Sequence, residues 1–343
     1  LTRPEIAVLM SYAKNWVYEE LLHSDLPDDP FLAADLRRYF PAPLQADYEK
    51  EIASHRLRRE IIATQVTNGM VNRISGAVIG QLIAGTGMPL GDIARAYLIT
   101  RQIFGFLDMW ERIQKLDNKV DAGVQTEMFS DIARLVEEGT RWFLINGDRP
   151  LAISAHLEKF GDGVTEFSKS LGSILPKEDL EAVEKRKEHY ISAGVPKNLA
   201  DEVSAMSFLA PAFDVVLVGQ DSGRGVREIG ELYFRIGIAF GLDWLRIEGQ
   251  RIMPENHWQK AAIEAILGDL FGQQAALTRQ IVRAGDGAAS LDDALESWML
   301  ARKLSVERTR QLFNDIRSSS AMHSFDLAML TVANRQVRAL IQG

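Results

Sequence analysis

The sequence predicts an all-α protein, a multi-helical bundle with several long helices. Three observations carry this reading. Apolar residues recur at three- and four-residue spacing over most of the 343 residues. Proline and glycine cluster between those stretches and punctuate them. No segment alternates apolar and polar residues over a convincing length, which is what a half-buried strand requires.

The first helix is announced by Thr2-Arg3-Pro4-Glu5. Thr2 can accept from a first-turn N–H, Glu5 can reach back to it, and Pro4 sits where a missing N–H costs least. Ile6, Leu9, Met10, Ala13, Trp16, Val17 and Leu21 then fall on one face. "SDLPDDP" stops that helix, and a short one follows to Phe40, ended by Pro41 and Pro43. No proline occurs from Leu44 to Met88, which permits one very long helix, bent near Gly69.

Further helices are expected from about Asp92 to Leu116 and from about Val124 to Asn146, the latter ended by "NGDRP". Two or three shorter ones are expected between Pro150 and Pro176. "PKEDLEAVEKRKEHYISAG" reads as a highly charged helix stopped by Gly194 and Pro196. The next is broken near Pro211, and "FDVVLVGQ" within it reads equally as a short strand or a buried helical turn. Long helices are expected over Arg224–Gly249, His257–Ala284, Leu291–Arg317 and Ser324–Ile341. The seam between two lobes would fall near Asn146, dividing the domain into 1–146 and 147–343.

Composition narrows the function classes. Hydrophobic residues make up 46% and charged residues 25%, as in ordinary globular proteins. A net charge of −8 repels nucleic acid. The absence of cysteine excludes disulfides and thiolate metal sites. The chain opens "LTRPEIAVLM", without an initiator Met or a leader pattern, and is expected to be a piece of a longer cytoplasmic chain.

The stretch "NGMVNRISGAVIGQLIAGTGMPLGD" carries Gly85-Thr86-Gly87, close to a dinucleotide fingerprint. Such a turn needs a strand before it and an acidic residue ending a second strand. The residues before Gly85 instead read as the tail of a helix, and Pro89 removes an amide that a phosphate would use. Its Gly, Ser, Gln, Thr and Pro also make it a poor membrane span. The preferred reading is a closely packed helix end. Gly76 and Gly80, one turn apart, would admit a neighbouring helix, and Gly85 and Gly87 would stop the helix. Gly287, in the loop "AGDGAAS", is expected to tolerate a side chain.

Other candidate chemistry is thin. Asp292, Asp293 and Glu296 resemble one half of a diphosphate-metal site, the basis of an alternative reading as an independent diphosphate-metabolising enzyme. A helix start, with Ser290 as N-cap and Asp293 completing the box, explains them more simply. Glu20-x-x-His23 is a single copy of a di-metal motif that needs two. The six histidines are scattered, among them His323. No catalytic, cofactor-binding or metal-binding residue is assigned. What stands out is "HRLRREIIATQVTNGMVNRISG". There Arg56, Arg59, Asn68, Asn72 and Arg73 share a helix with Leu57, Ile61, Ile62, Val66 and Val71. The row reads either as an anion site or, preferably, as a structural polar network, with at least one arginine buried against a carboxylate of another helix.

"LTRPEIAVLMSYAK", "LPDDPFLAADLRRYFP", "HRLRREIIATQVTNGMVNR" and "TRWFLINGDRP", then "FGLDWLR" and "HWQKAAIEAILGDL", occur in order. Together they resemble the C-terminal region of the large bacterial NAD-specific glutamate dehydrogenases, over essentially the whole chain. The resemblance implies a parent that oxidises L-glutamate to 2-oxoglutarate and ammonium with NAD. Its catalytic lysines, catalytic aspartate and dinucleotide fingerprint lie upstream, and none matches here. The implied role is a non-catalytic scaffold that braces the upstream catalytic domain of the same chain and contributes to a homo-oligomer. NAD would be held by the parent and not by this portion; neither nucleic acid nor membrane is an expected partner.

Overall fold

The computed structural model describes residues 1–285, 290–320 and 324–342, so Gly287 and His323 lie outside the described residues. Among the described residues there are 18 α-helices and no strand, as the periodicity predicts. They form two compact units. One comprises Leu1–Asp162 with Glu184–Ala210, the other Gly163–Val183 with Pro211–Gly343. The chain passes between these units at 162/163, 183/184 and 210/211.

The first unit opens with α1 (Arg3–His23). The expected capping box forms: the Thr2 N–H donates to Glu5 Oε2 at 2.7 Å and its hydroxyl at 3.0 Å. Of the apolar face only Val17 and Leu21 are buried, while Ile6, Leu9, Met10 and Trp16 are exposed. Helical spacing reports an amphipathic face; it does not require that the covering partner lie within the same residues.

Next come 3-10 turns at Leu26–Asp28 and Pro30–Leu32, α2 (Ala33–Tyr39), α3 (Ala42–Asp47) and α4 (Glu49–Ala53). The very long helix permitted from Leu44 is therefore split, and α5 (Arg58–Thr86) starts late. Local side-chain bonds compete with helix in the gap. The Ser54 hydroxyl donates to the Lys50 carbonyl at 2.8 Å, and His55 Nδ1 accepts the Leu57 N–H at 3.1 Å. The bend in α5 lies at Ser75, not near Gly69. Ser75 adopts φ +68° and ψ 154°, and its hydroxyl accepts the Val78 N–H at 3.3 Å, restarting the helix.

Gly87 ends α5 in the left-handed conformation, φ +66°, its N–H donating to the Ile83 carbonyl at 2.8 Å. The glycine-rich stretch is thus a helix terminus. Among the described residues no strand precedes it.

The expected 92–116 helix is two helices, α6 (Leu90–Ile103) and α7 (Phe106–Gln114). Gly105, at φ +66°, turns the chain between them. α6 is buried almost all round and packs against α1, α5 and α8 (Ala122–Asn146). α8 starts on Asp121, which accepts the Gly123 N–H at 2.7 Å. α9 (Ile153–Ile174) is one helix where two or three were expected. α10 (Lys177–Ser192) and α11 (Lys197–Ser204) follow.

The second unit contains α12 (Ala212–Ser222), where "FDVVLVGQ" is a buried helix, not a strand. The expected 224–249 helix is broken by Gly241, φ +65°, into α13 (Val226–Ala239) and α14 (Leu242–Arg251). α15 (His257–Ala284) is central, packing on α12, α13, α14, α16 (Leu291–Ala301) and α18 (Leu327–Gln342). The expected 291–317 helix breaks at Arg302 before α17 (Lys303–Ser320). Leu270, Leu277 and Ile281 of α15 are fully buried. Gln274 between them is satisfied by donating to the Tyr233 carbonyl and accepting from Arg246, both at 2.7 Å.

Among the described residues no single helix is long and apolar enough to cross a membrane.

Candidate functional site

Four helices of the first unit enclose a pocket of about 280 Å³. α5 supplies one wall. Gln65, Asn68, Gly69, Asn72 and Arg73 recur at helical spacing and so fall on one stripe of that helix. α6 contributes Tyr97 and Arg101, α2 contributes Asp35 and Arg38, and α7 contributes Trp110 and Glu111. The lining carries three arginines against two carboxylates.

The floor is an ion pair. Arg101, 3% exposed, grips Asp35, 5% exposed, with Nη1 to Oδ1 at 3.1 Å and Nη2 to Oδ2 at 3.2 Å. Such forked geometry is the strong form of an arginine–carboxylate contact. Arg38, half-exposed, shares the same carboxylate at 2.6 Å. Glu111 is held by Lys115 at 2.7 Å.

Arg73 differs. Its guanidinium lies 4.7 Å from the Trp110 ring centroid and 5.2 Å from that of Phe129. Among the described residues it has no hydrogen bond or ion pair. Burial therefore pushes its pKa down, although an arginine remains charged at any ordinary pH. Gln65, Asn68 and Asn72 likewise make no hydrogen bond among the described residues. Nearby, the buried Tyr97 hydroxyl and Arg101 Nε lack partners among the described residues. Desolvation raises the Tyr97 pKa to about 12, so this phenol keeps its proton. Gly69 makes room for it: a Cβ there would sit 3.1 Å from the hydroxyl oxygen.

The motif read from the sequence is therefore divided. Arg56 precedes α5 in a turn and is exposed. Arg59 points away from the pocket, pairing with Asp28 and donating to the carbonyls of Leu22 at 2.8 Å and Ser24 at 3.0 Å. That pair is no buried one, because the Arg59 side chain is 36% exposed. Only Asn68, Asn72 and Arg73 reach the pocket. None of Arg56, Arg59 and Arg73 is both buried and paired; Arg101 is.

The two packing glycines also differ. A Cβ on Gly76 would stand 2.6 Å from Ala13 Cβ, so α1 approaches α5 closely there. Gly80 faces open space, correcting the expectation of close packing at that position.

The acidic cluster is a helix start. Ser290 Oγ accepts the Asp293 N–H at 3.1 Å and donates to its carboxylate at 2.9 Å, while Asp292 pairs with Arg235. Glu296 is exposed, and no cluster among the described residues could hold a metal ion. The diphosphate reading finds no support.

Asp35, Arg38, Tyr97, Arg101 and Trp110 were missed in the sequence. A signal existed for one of them. In "IARAYLITRQIF" Arg101 interrupts an apolar run, and a charge so placed needs a buried partner. Nothing local identifies that partner as Asp35, more than sixty residues away.

Comparison with known proteins adds the lineage. A family described as "Glutamate dehydrogenase, C-terminal" matches residues 1–339. The NAD-specific glutamate dehydrogenase of Pseudomonas aeruginosa is 33% identical over 343 residues, covering 100% of this chain and 21% of that protein. Its counterpart in Halomonas elongata is 32% identical over 93% of this chain and 20% of its own length. That of Mycobacterium tuberculosis is 30% identical over 99% of this chain and 21% of its own. The chain spans about a fifth of the length of the curated relatives it matches. With the match extending over nearly every residue, the chain belongs to the glutamate dehydrogenase C-terminal domain family.

Proposed function

We propose that this chain is the non-catalytic helical scaffold of an NAD-dependent glutamate dehydrogenase. In that role it braces a catalytic domain carried on the same polypeptide and contributes to assembly of a homo-oligomer. The parent would oxidise L-glutamate to 2-oxoglutarate and ammonium and reduce NAD, in the cytoplasm, with no nucleic-acid or membrane partner. NAD would bind to the parent's other portion, since the one glycine-rich candidate here terminates a helix.

The observation that carries the bracing role is the exposed apolar face of α1. Leu9 is 54% and Trp16 43% exposed, with Ile6 and Met10 on the same face. Contiguous apolar surface of this kind marks a place where something docks. In the relatives about four-fifths of the polypeptide lies outside the matched region, so a large covering partner is at hand.

The test is an activity assay. Purified chain, free of host dehydrogenase, is mixed with NAD and L-glutamate and NADH absorbance is followed. The expected result is a rate equal to the buffer blank. Sustained turnover by the chain alone would refute the scaffold role.

A further inference from the structure

We infer that the pocket enclosed by α2, α5, α6 and α7 is a binding site for a small free carboxylate, with Arg73 as its anchor. The pocket already displays the chemistry it would use. Arg101 and Arg38 both hold the carboxylate of Asp35, and Arg101 does so with its full fork. Arg73 is the third arginine of the same lining and, among the described residues, the one without an anion.

Its surroundings favour an anion over an empty charge. Trp110 and Phe129 flank the guanidinium and limit its hydration, but a ring face offers no hydrogen-bond acceptor equal to water. The N–H donors of a half-buried guanidinium need acceptors, and a carboxylate supplies two in matching geometry. Asn68 and Asn72 lie one helical turn apart on the same stripe and have amide groups free to bond the remainder of such a ligand. About 280 Å³ accommodates a molecule of a few carbon atoms, a water occupying about 30 Å³ of liquid volume.

Charge supports the sign of the ligand. Glu111 is engaged by Lys115, and Asp35 is shared by two arginines, so the pocket retains positive charge within a chain of net −8. That surplus is small and sets the sign of the ligand, an anion. This inference does not depend on the scaffold role, and its failure would leave that role untouched.

Titration calorimetry of the full 343-residue chain with succinate, and separately with inorganic phosphate at matched ionic strength, tests it. The expected result is saturable one-site binding of succinate, weakened about tenfold or more in Arg73→Met and unchanged in Arg235→Met. Arg73→Lys, which keeps the charge but loses the fork, should fall between. Because Arg73→Met removes a half-buried group, a second variant guards against misfolding. Asn72 is exposed, so Asn72→Asp should fold normally, yet place a competing carboxylate beside Arg73 and weaken succinate about tenfold. No saturable succinate heat, equal affinity in wild type and Asn72→Asp, or binding of phosphate without succinate would each overturn the assignment.

Discussion

Asp35 and Arg101 are among the few charged side chains almost wholly removed from water, and two hydrogen bonds join them. Removing one partner of such a pair strands a buried charge. Asp35→Ala should therefore destabilise the chain by about 3–5 kcal/mol, whereas exposed pairs are worth roughly 0–1 kcal/mol. Arg235→Met, which breaks an exposed pair with Asp292, serves as the comparison in a urea titration. The double replacement Asp35→Leu with Arg101→Met should recover most of the loss, because no orphan charge remains. Equal midpoints for Asp35→Ala and wild type would mean the pair is not buried in solution. At this scale the sequence was legible in kind and not in address. An arginine paired in the interior was expected, on α5. It lies on α6, because the pairing depends on which helices meet, and periodicity does not report that.

At the level of elements, helix existence was legible almost throughout, and helix breaks were not. Gly105 and Gly241 both turn the chain with positive φ, in "FGFLD" and "FGLD", each with an aspartate in the first turn of the next helix. Neither segment contains proline, so a proline-based reading runs straight through both. Ser75 is a similar case, a non-glycine residue in a backbone region that costs of order 1–3 kcal/mol. The glycines of α5 provide the direct test of helix packing. Gly76→Leu must push α1 from α5 and should cost about 1–3 kcal/mol. Gly80→Ala, facing open space, should instead stabilise by about 0.5–1 kcal/mol through helix propensity. Thermal melts of the two variants read the contrast; a loss of stability in Gly80→Ala would show that this face is covered.

Across the whole molecule, the all-α class was legible because one period dominates the sequence, while the points at which the chain passes between units were not. The chain passes between units at 162/163, 183/184 and 210/211, and the first two of these lie inside α9 and α10, where no linker composition marks them. Lineage was legible because motifs dispersed along the chain occur in one order. The exposed face of α1 is where fold and lineage meet: its spacing predicts burial, and nothing among the described residues provides it. Hydrogen exchange tests the scaffold role most directly, comparing the isolated chain with the same residues in the longer polypeptide. Amides of residues 6–16 should exchange markedly more slowly in the longer protein, while those of α15, already packed on five helices, should be unchanged. Identical exchange at residues 6–16 in the two contexts would contradict the scaffold role.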